Sequence, residues 1–382
     1  MANTFLTSNE IARVALPILQ ENLVFPALAN LNYSNTFAKK GDTIQVKRPS
    51  VYVADEFGST INLQDINPFP VLVKMDKIAD VSVEVTATEL ALDLDDFETD
   101  VLRPAVVAIA EKVNQDGLAL YEWVPNYTGT SGVTPDGLDD FANAAKVLDD
   151  EKTPTAERYG VWDTAAMAKF RVLDALVGLD KSGNTAALRA GSIGDVFGLD
   201  NFMTQAIKTH TAGAYTALAD VTAAITATNN AVDALTGFTY SSAVLTSAAG
   251  TSTDVLVQGD ILTIGGVQVT VIEDTAAAAS GVVTAKVFPA FAADVVAGAV
   301  VFADVTNGSH VANLAFHRAA FGFVTRPLEP AAGADSSVES FGGLSLRVVM
   351  QYDINTKKTI MSIDTLYGWA PLYPELAVRV LG

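Results

Sequence analysis

Between Thr211 and His310 a hundred consecutive residues carry eight acidic side chains and a single basic one, Lys286, and Ala, Thr, Val, Gly and Ser dominate. On either side the ordinary mixture of charged residues resumes. A composition break on both flanks divides the chain into a body built from two separated pieces and a module inserted between them. Inside the module, Asp260 to Val271 reads as two β runs around Gly265-Gly266, a pair able to take the positive φ angles of a tight hairpin. Val282 to Phe288 and Val300 to Val305 supply further strands, so the module is expected to be β-rich.

The body alternates between helix and strand signals. Thr7 and Glu10 form a capping box, followed by an amphipathic helix whose apolar residues Ile11, Ala15, Ile18, Leu19 and Leu23 recur at helical spacing; Pro17 is expected to kink it. Ile44 and Val46 alternate with polar residues in a strand that Pro49 stops. Nearly twenty irregular residues then pass before Val71 to Val73 and the alternating run Val81 to Thr86, and a loop that long is expected to be an interaction arm. A helical run extends from Phe97 to about Trp123, and Pro104 is expected to bend it or to mark where its straight part begins. Helix, short strand (Tyr159 to Trp162) and helix (through Leu176, capped by Asp163 or Thr164) follow, then a strand near Phe202 to Lys208. After the module, Asn313 to Ala320 reads as helix and Phe321 to Thr325 as strand. Leu344 to Met350 and Thr359 to Ile363 form a hairpin, and a last strand lies near Leu376 to Val380.

Composition limits the chemistry. The 382 residues are 49% hydrophobic and 18% charged with a net charge of −20, and the mean hydropathy is +0.28. That excludes intrinsic disorder and allows two or three domains at roughly 100–200 residues each. The absence of cysteine excludes disulfides, thiolate zinc sites and cysteine nucleophiles. So acidic a surface repels nucleic acid, whose affinity comes from Lys and Arg displacing counterions. The N-terminus lacks a basic export segment, and the longest apolar run, Val295 to Ala303, is about half of the roughly 20 residues that a spanning helix needs. With no route to a glycosylating compartment, the sequons at Asn32, Asn126 and Asn307 read as chance matches.

No catalytic constellation emerges. A phosphate loop needs Gly-Lys, a pair this chain does not contain. The glycines at 191, 194 and 198 have the wrong spacing for a dinucleotide fingerprint. Asp93, Asp95, Asp96, Glu98 and Asp100 lack the mid-loop Gly and terminal Glu of a calcium loop; Asp95 or Asp96 capping the long helix, with the others complementing its positive end, accounts for them. His210, His310 and His317 have no companions at metal or catalytic spacing and read as structural. Neither a cofactor nor a metal is expected.

The order of these parts resembles the major capsid (coat) proteins of tailed bacteriophages, which share the Hong Kong 97-type fold. Asn22-Leu23-Val24-Phe25, Lys40-Gly41-Asp42-Thr43-Ile44 with Arg48-Pro49, and Glu89-Leu90 through Asp96-Phe97 to Pro104-Ala105 are similar to the family's N-arm, extended loop and spine helix. Leu314 to His317, Phe321 to Arg326-Pro327, Leu346-Arg347-Val348 with Gln351-Tyr352-Asp353, and Asp364 to Gly368 are similar to its closing elements. An insertion at 211–310 resembles the podophage branch. The resemblance implies an α+β chain: an N-terminal arm (1–35), the extended loop with its flanking P-domain strands (36–88), and the P-domain spine helix (89–135). The first part of the A domain (136–210), the inserted domain (211–310), the A-domain return (311–335), and a P-domain hairpin with a final A-domain strand (336–382) complete it.

It further implies a shell-forming subunit, not an enzyme, whose N-arm and extended loop reach across neighbours while the insert stabilises the subunit or contacts its neighbours. Implied partners are copies of itself in hexamers and pentamers, a separate scaffolding protein, a portal protein and packaged DNA held non-specifically, with no membrane. Implied locations are the virion and, during assembly, the host bacterial cytoplasm. The Lys–Asn pair of crosslinking relatives has no residue-by-residue match, so no covalent chainmail is expected. An encapsulin-like compartment shell shares the fold and is the nearest alternative; a secreted β-rich surface protein or adhesin is a weaker one.

Charge asymmetry is consistent with contacts between copies. Residues 1–50 carry five basic and three acidic side chains, and residues 76–100 one basic and nine acidic. Opposite signs on separate elements fix register between neighbours. Lys39, Lys40, Lys47 and Arg48 are therefore expected to face an acidic surface on an adjacent subunit, with Glu56, Asp93, Asp95 and Asp96 as candidate contacts.

Overall fold

The computed structural model describes residues 7–31, 43–48, 54, 56, 70–85, 97–177, 191–215, 221–246, 255–276, 281–303, 308–331, 333–341, 343–354 and 358–382. In chain order, α1 (Ser8–Asn22) and α2 (Val24–Leu28) precede β1 (Thr43–Lys47), β2 (Pro70–Lys74) and β3 (Lys77–Val85). A turn of π-helix (Glu98–Leu102) leads into α3 (Arg103–Leu118), which tightens into a 3-10 turn (Ala119–Trp123). Then come β4 (Tyr127–Gly129), α4 (Leu138–Asp150), β5 (Arg158–Trp162), α5 (Thr164–Phe170), α6 (Asp174–Val177), β6 (Asp195–Val196), β7 (Leu199–Met203) and β8 (Thr209–Thr211). The module holds β9 (Thr222–Ile225), β10 (Ala231–Val232), β11 (Thr239–Thr246), β12 (Ile261–Ile264), β13 (Val267–Val271), β14 (Val282–Phe288) and β15 (Val295–Phe302). The closing elements are β16 (Ser309–His317), β17 (Phe321–Arg326), β18 (Asp335–Phe341), β19 (Leu344–Asp353), β20 (Lys358–Pro371) and β21 (Ala377–Leu381).

Isolated helices of this length are marginal in water, so α1 depends on what its apolar face meets. The Thr7–Glu10 capping box holds its start, and Ile11, Ala12, Ala15, Leu16, Ile18 and Leu19 are buried. They share one core with Val106, Ile109 and Val113 of α3 and with Leu346, Val348, Met361 and Ile363 on one face of the sheet β17-β20-β19-β18, which β3 joins along β20. Ser8 donates to Asp335 at 2.8 Å, and Arg13 pairs with Glu339 at 3.4 Å. This helix therefore lies on its own subunit instead of projecting. It continues through Pro17, whose ring sits on the exposed side.

The long helix matches the expected run, with Pro104 in the first turn of its α-helical part, directly after the π-helical turn. Asn114 closes the break between α1 and α2: its Oδ1 accepts from the Phe25 amide at 3.2 Å and its Nδ2 donates to the Asn22 carbonyl at 3.1 Å. Phe25 is the hub of the aromatic core, with ring centroids 5.4 Å from Phe316, 5.6 Å from Phe321 and 5.1 Å from Trp369.

A mixed sheet, β4-β21-β16-β5-β7-β6, forms the second layer, with β8 paired to β16. Beneath α4 and α5 lies a cluster in which Phe141, Trp162 and Phe170 sit 4.4 to 5.0 Å apart. Asp163 caps α5 through the amides of Ala165 and Ala166, but that helix stops at Phe170. The segment 313–320 corrects the sequence reading: Asn313 to His317 belong to β16, a strand, and only Arg318–Ala320 form a helical turn. β16 is central and buried on both faces, Leu314 and Phe316 toward the α3 core and Ala315 toward α4 and α5. Burial on both faces erases the polar alternation by which a strand is recognised. The strands β8 and β18 likewise had no expectation attached to them.

The module is a closed barrel. Strands β9, β11, β14, β13, β12 and β15 pair antiparallel in that order, and β15 returns to β9. Ala223, Ile225, Ala243, Leu245, Leu262, Ile264, Val269, Val271, Val283, Ala285 and Val287 fill it. The hairpin at Gly265-Gly266 is present, with φ of +59° and +84°.

Gly117 of α3 is a site where space overrides helix propensity. A Cβ there would meet Phe25 Cδ1 and Trp369 Cζ2, each at 2.6 Å. Alanine favours helix over glycine by up to about 1 kcal/mol, but overpacking the hub costs about 1–3 kcal/mol. Gly117→Ala is therefore expected to lower the melting temperature of the full chain.

Candidate assembly surface and the insertion junction

The eight sequence-predicted contact residues divide into three groups. Lys39, Lys40, Asp93, Asp95 and Asp96 lie outside the described residues. Lys47 and Glu56 are exposed. Arg48, which the sequence reading assigned to a neighbour, is engaged within its own subunit: its Nη2 donates to both carboxylate oxygens of Glu375 at 3.1 Å. Its guanidinium also lies 4.5 Å from the ring centroid of Tyr373 and 5.8 Å from that of Phe238. No local pattern announces a partner 327 residues away.

The two histidines flanking the module are brought face to face. His210 of β8 and His310 of β16 are opposite residues of one antiparallel ladder, with ring centroids 5.2 Å apart, so the chain enters and leaves the module through adjacent strands. His210 joins body to barrel. Its Nδ1 is 2.9 Å from the Tyr121 hydroxyl and its Nε2 is 2.9 Å from Asp260 Oδ1; a carboxylate only accepts, so Nε2 donates. Asp260 also accepts from the amides of Gly213 and Val257, which satisfies a carboxylate that is almost fully buried.

Beside it, Arg379 of β21 is completely buried. It donates from Nε to the Val124 carbonyl at 2.8 Å, from Nη1 to the Gly259 carbonyl at 2.6 Å and from Nη2 to Thr270 Oγ1 at 3.0 Å. Thr270 in turn donates to the Glu122 carbonyl at 2.8 Å, and Gln268 accepts from the Tyr127 amide at 3.1 Å. The barrel is thus fastened to the body by a largely buried polar network and not by its covalent connections alone. Sequence reasoning singled out the two histidines by position but missed Tyr121, Asp260, Thr270 and Arg379.

Titration follows this burial. Burial first, then the charges of His210 and Arg379, push the His310 imidazole down to about 3 from its ordinary 6.5. Burial likewise raises the Glu122 carboxyl, against the pull of Lys208, His210 and Arg379. In the last turn of α3, burial of Asp116 is outweighed by hydrogen bonds from Lys112 and Tyr367 and by the charge of Lys77, so its carboxyl stays below the usual range. Among the described residues no cluster of three His, Asp or Glu converges that could hold a metal ion, and no helix is long and apolar enough to cross a membrane.

Two outcomes are expected from the junction. The unfolded chain protonates His310 near 6.5 while the folded chain resists until about 3, so stability falls as pH drops through that window, by at most about 1.4 kcal/mol per unit. His310→Phe is expected to flatten the decline in melting temperature there. Arg379→Met, which strands the Val124 and Gly259 carbonyls, is expected to cost about 3 kcal/mol in denaturant unfolding.

Comparisons with known proteins agree with this architecture. Residues 263–382 match the family model "P22 coat protein - gene protein 5". The chain is similar in structure to a solved chain of Mycobacterium phage Che8, with a TM-score of 0.53 and 15% identity, covering 94% of this chain and 90% of that one. A chain from the capsid structure of the cyanophage P-SCSP1u gives a TM-score of 0.46 and 12% identity, covering 90% and 83%; the fold assignment rests on the former. No curated protein sequence matches the chain. A coat-protein match over the last third of the chain and a fold shared with a solved phage chain along nearly its whole length give this chain the Hong Kong 97-type fold of phage capsids.

Proposed function

We propose that the subunit assembles with copies of itself into an icosahedral procapsid in the host cytoplasm, guided by a separate scaffolding protein and closed on a portal, and that the mature shell holds a double-stranded DNA genome. The carrying observation is the agreement between fold and coat-protein match described above. The role is mechanical: the coat-protein match and the capsid-type fold support it, as do the ion pairs of Arg48, Arg347 and Asp116, which hold elements of one subunit together.

Electrostatics support two parts of this reading. At −20 identical subunits repel one another, so their contacts need local complementarity, and exposed Lys47 is the described member of the basic set left facing solvent. An acidic shell also holds packaged DNA weakly, since tight binding would require many Lys and Arg to displace counterions.

Expression of the full chain with and without a scaffolding protein, followed by sedimentation and negative-stain microscopy, tests the proposal. Closed shells of uniform size are expected with scaffold, and soluble monomers under every condition would overturn it. Lys47→Glu is expected to slow assembly while changing subunit stability by no more than about 0.5 kcal/mol; unchanged assembly kinetics would remove Lys47 from the contact. Assembled shells are expected to retain little DNA at moderate salt in a filter-binding measurement.

A further inference from the structure

We propose that the inserted barrel is a brace that fixes the root of the extended loop, the hairpin β1–β2. This assigns the module a task within its own subunit and rests on the capsid reading only for its consequence in assembly.

The geometry begins with the turn between β10 and β11. Asp233 organises it, accepting on Oδ2 from the amides of Leu235 and Thr236 and from the Thr236 hydroxyl, while its own amide donates to the Phe238 carbonyl at 2.8 Å. The turn thereby presents the Thr236 carbonyl to the outer edge of β2, where it accepts from the Leu72 amide at 2.8 Å. At the next residue backbone meets backbone. Gly237 has φ +80°, and a Cβ on it would lie 2.5 Å from the Pro70 carbonyl oxygen and 3.3 Å from Leu72 Cγ. The hairpin is gripped from a second side by Gly368 of β20, where a Cβ would lie 2.2 Å from the Lys74 carbonyl oxygen. Two glycines on separate elements therefore bring the barrel and the sheet against the same short strand.

Side chains complete the clamp. Val46, Val71 and Val73 of the hairpin share one core with Phe238, Ile272 and Phe288 of the module, with Trp123 after the spine helix, and with Leu366, Ala370 and Leu372 of β20 and its exit. The Trp123, Phe238 and Phe288 rings lie 5.0 to 6.3 Å apart. Arg48, at the end of β1, is held by Glu375 and stacked between Tyr373 and Phe238. A two-stranded hairpin is unstable by itself. This one is ordered by contacts that include the barrel on the edge of β2, on its apolar face and at the end of β1.

The brace is tested on unassembled full-length subunits by amide hydrogen exchange, so that a failure to form shells does not enter the result. Gly237→Val is expected to speed exchange at residues 71–74 by about tenfold or more, with the barrel hairpin β12–β13 unchanged. Leu235→Ser, at a residue of the same turn that is 72% exposed, is expected to leave exchange at residues 71–74 unaltered. Unchanged exchange at 71–74 in Gly237→Val with an intact barrel would overturn the brace. Should that variant fail to fold, Arg48→Gln supplies the second measurement. A rise of about threefold at 71–74 is expected, and no rise overturns the proposal. In scaffolded assembly, Gly237→Val is expected to give aberrant or heterogeneous shells; uniform shells at wild-type yield would show that the brace does not govern assembly, whatever its effect on exchange.

Discussion

The buried guanidinium of Arg379 is the interaction on which the two-part architecture depends. A charge taken fully out of water is tolerable only when its donors are satisfied with good geometry. Here the acceptors come from both parts of the molecule: Val124 from the body, and Gly259 and Thr270 from the inserted module. Removing the module would leave the guanidinium without two of these partners and would also detach Asp260 from His210. The insertion is therefore built into the electrostatics of the body and is more than a decoration on a loop.

The same logic governs the charges that looked available for neighbours. Arg48 spends its guanidinium on Glu375 and two aromatic rings, Arg347 holds Asp364 within the sheet, and Lys77 and Lys112 both hold Asp116. The Arg48 pair joins segments 327 residues apart and the Lys112 pair lies within one helix, yet each has at least one partner largely out of solvent, where screening is weaker than at an exposed pair. Much of the basic complement of an acidic chain is thus committed to holding one subunit together, and the excess negative charge remains at the surface.

Several elements were legible because local physics sufficed. The capping box at Thr7, Pro104 in the first turn of α3, Asp163 as a helix cap and the Gly265-Gly266 hairpin rely on residues within one turn of each other, and all four are present. The central strand β16 was not legible, since burial on both faces gives a run without alternation, and its alanines favour the helical reading. Barrel closure was also hidden: sequence alternation predicts strands, whereas closure depends on β15 pairing with β9 across some seventy intervening residues.

The candidate site divides in the same way. The sequence by itself determined that a module poor in charge interrupts a body of mixed helix and strand, that histidines stand at both of its borders, and that the chain has no cysteine, no Gly-Lys pair and no complete calcium-loop motif; composition and short spacing carry all of that. Tertiary structure alone decided that the two border histidines face each other, that Arg48 pairs inside its own subunit, and that Arg379, Asp260 and Thr270 weld the module to the body. The reason is physical. A buried charge is placed by whichever partners the folded chain can bring within about 3 Å of it, and the acceptors of Arg379 lie 109 to 255 residues away in the sequence.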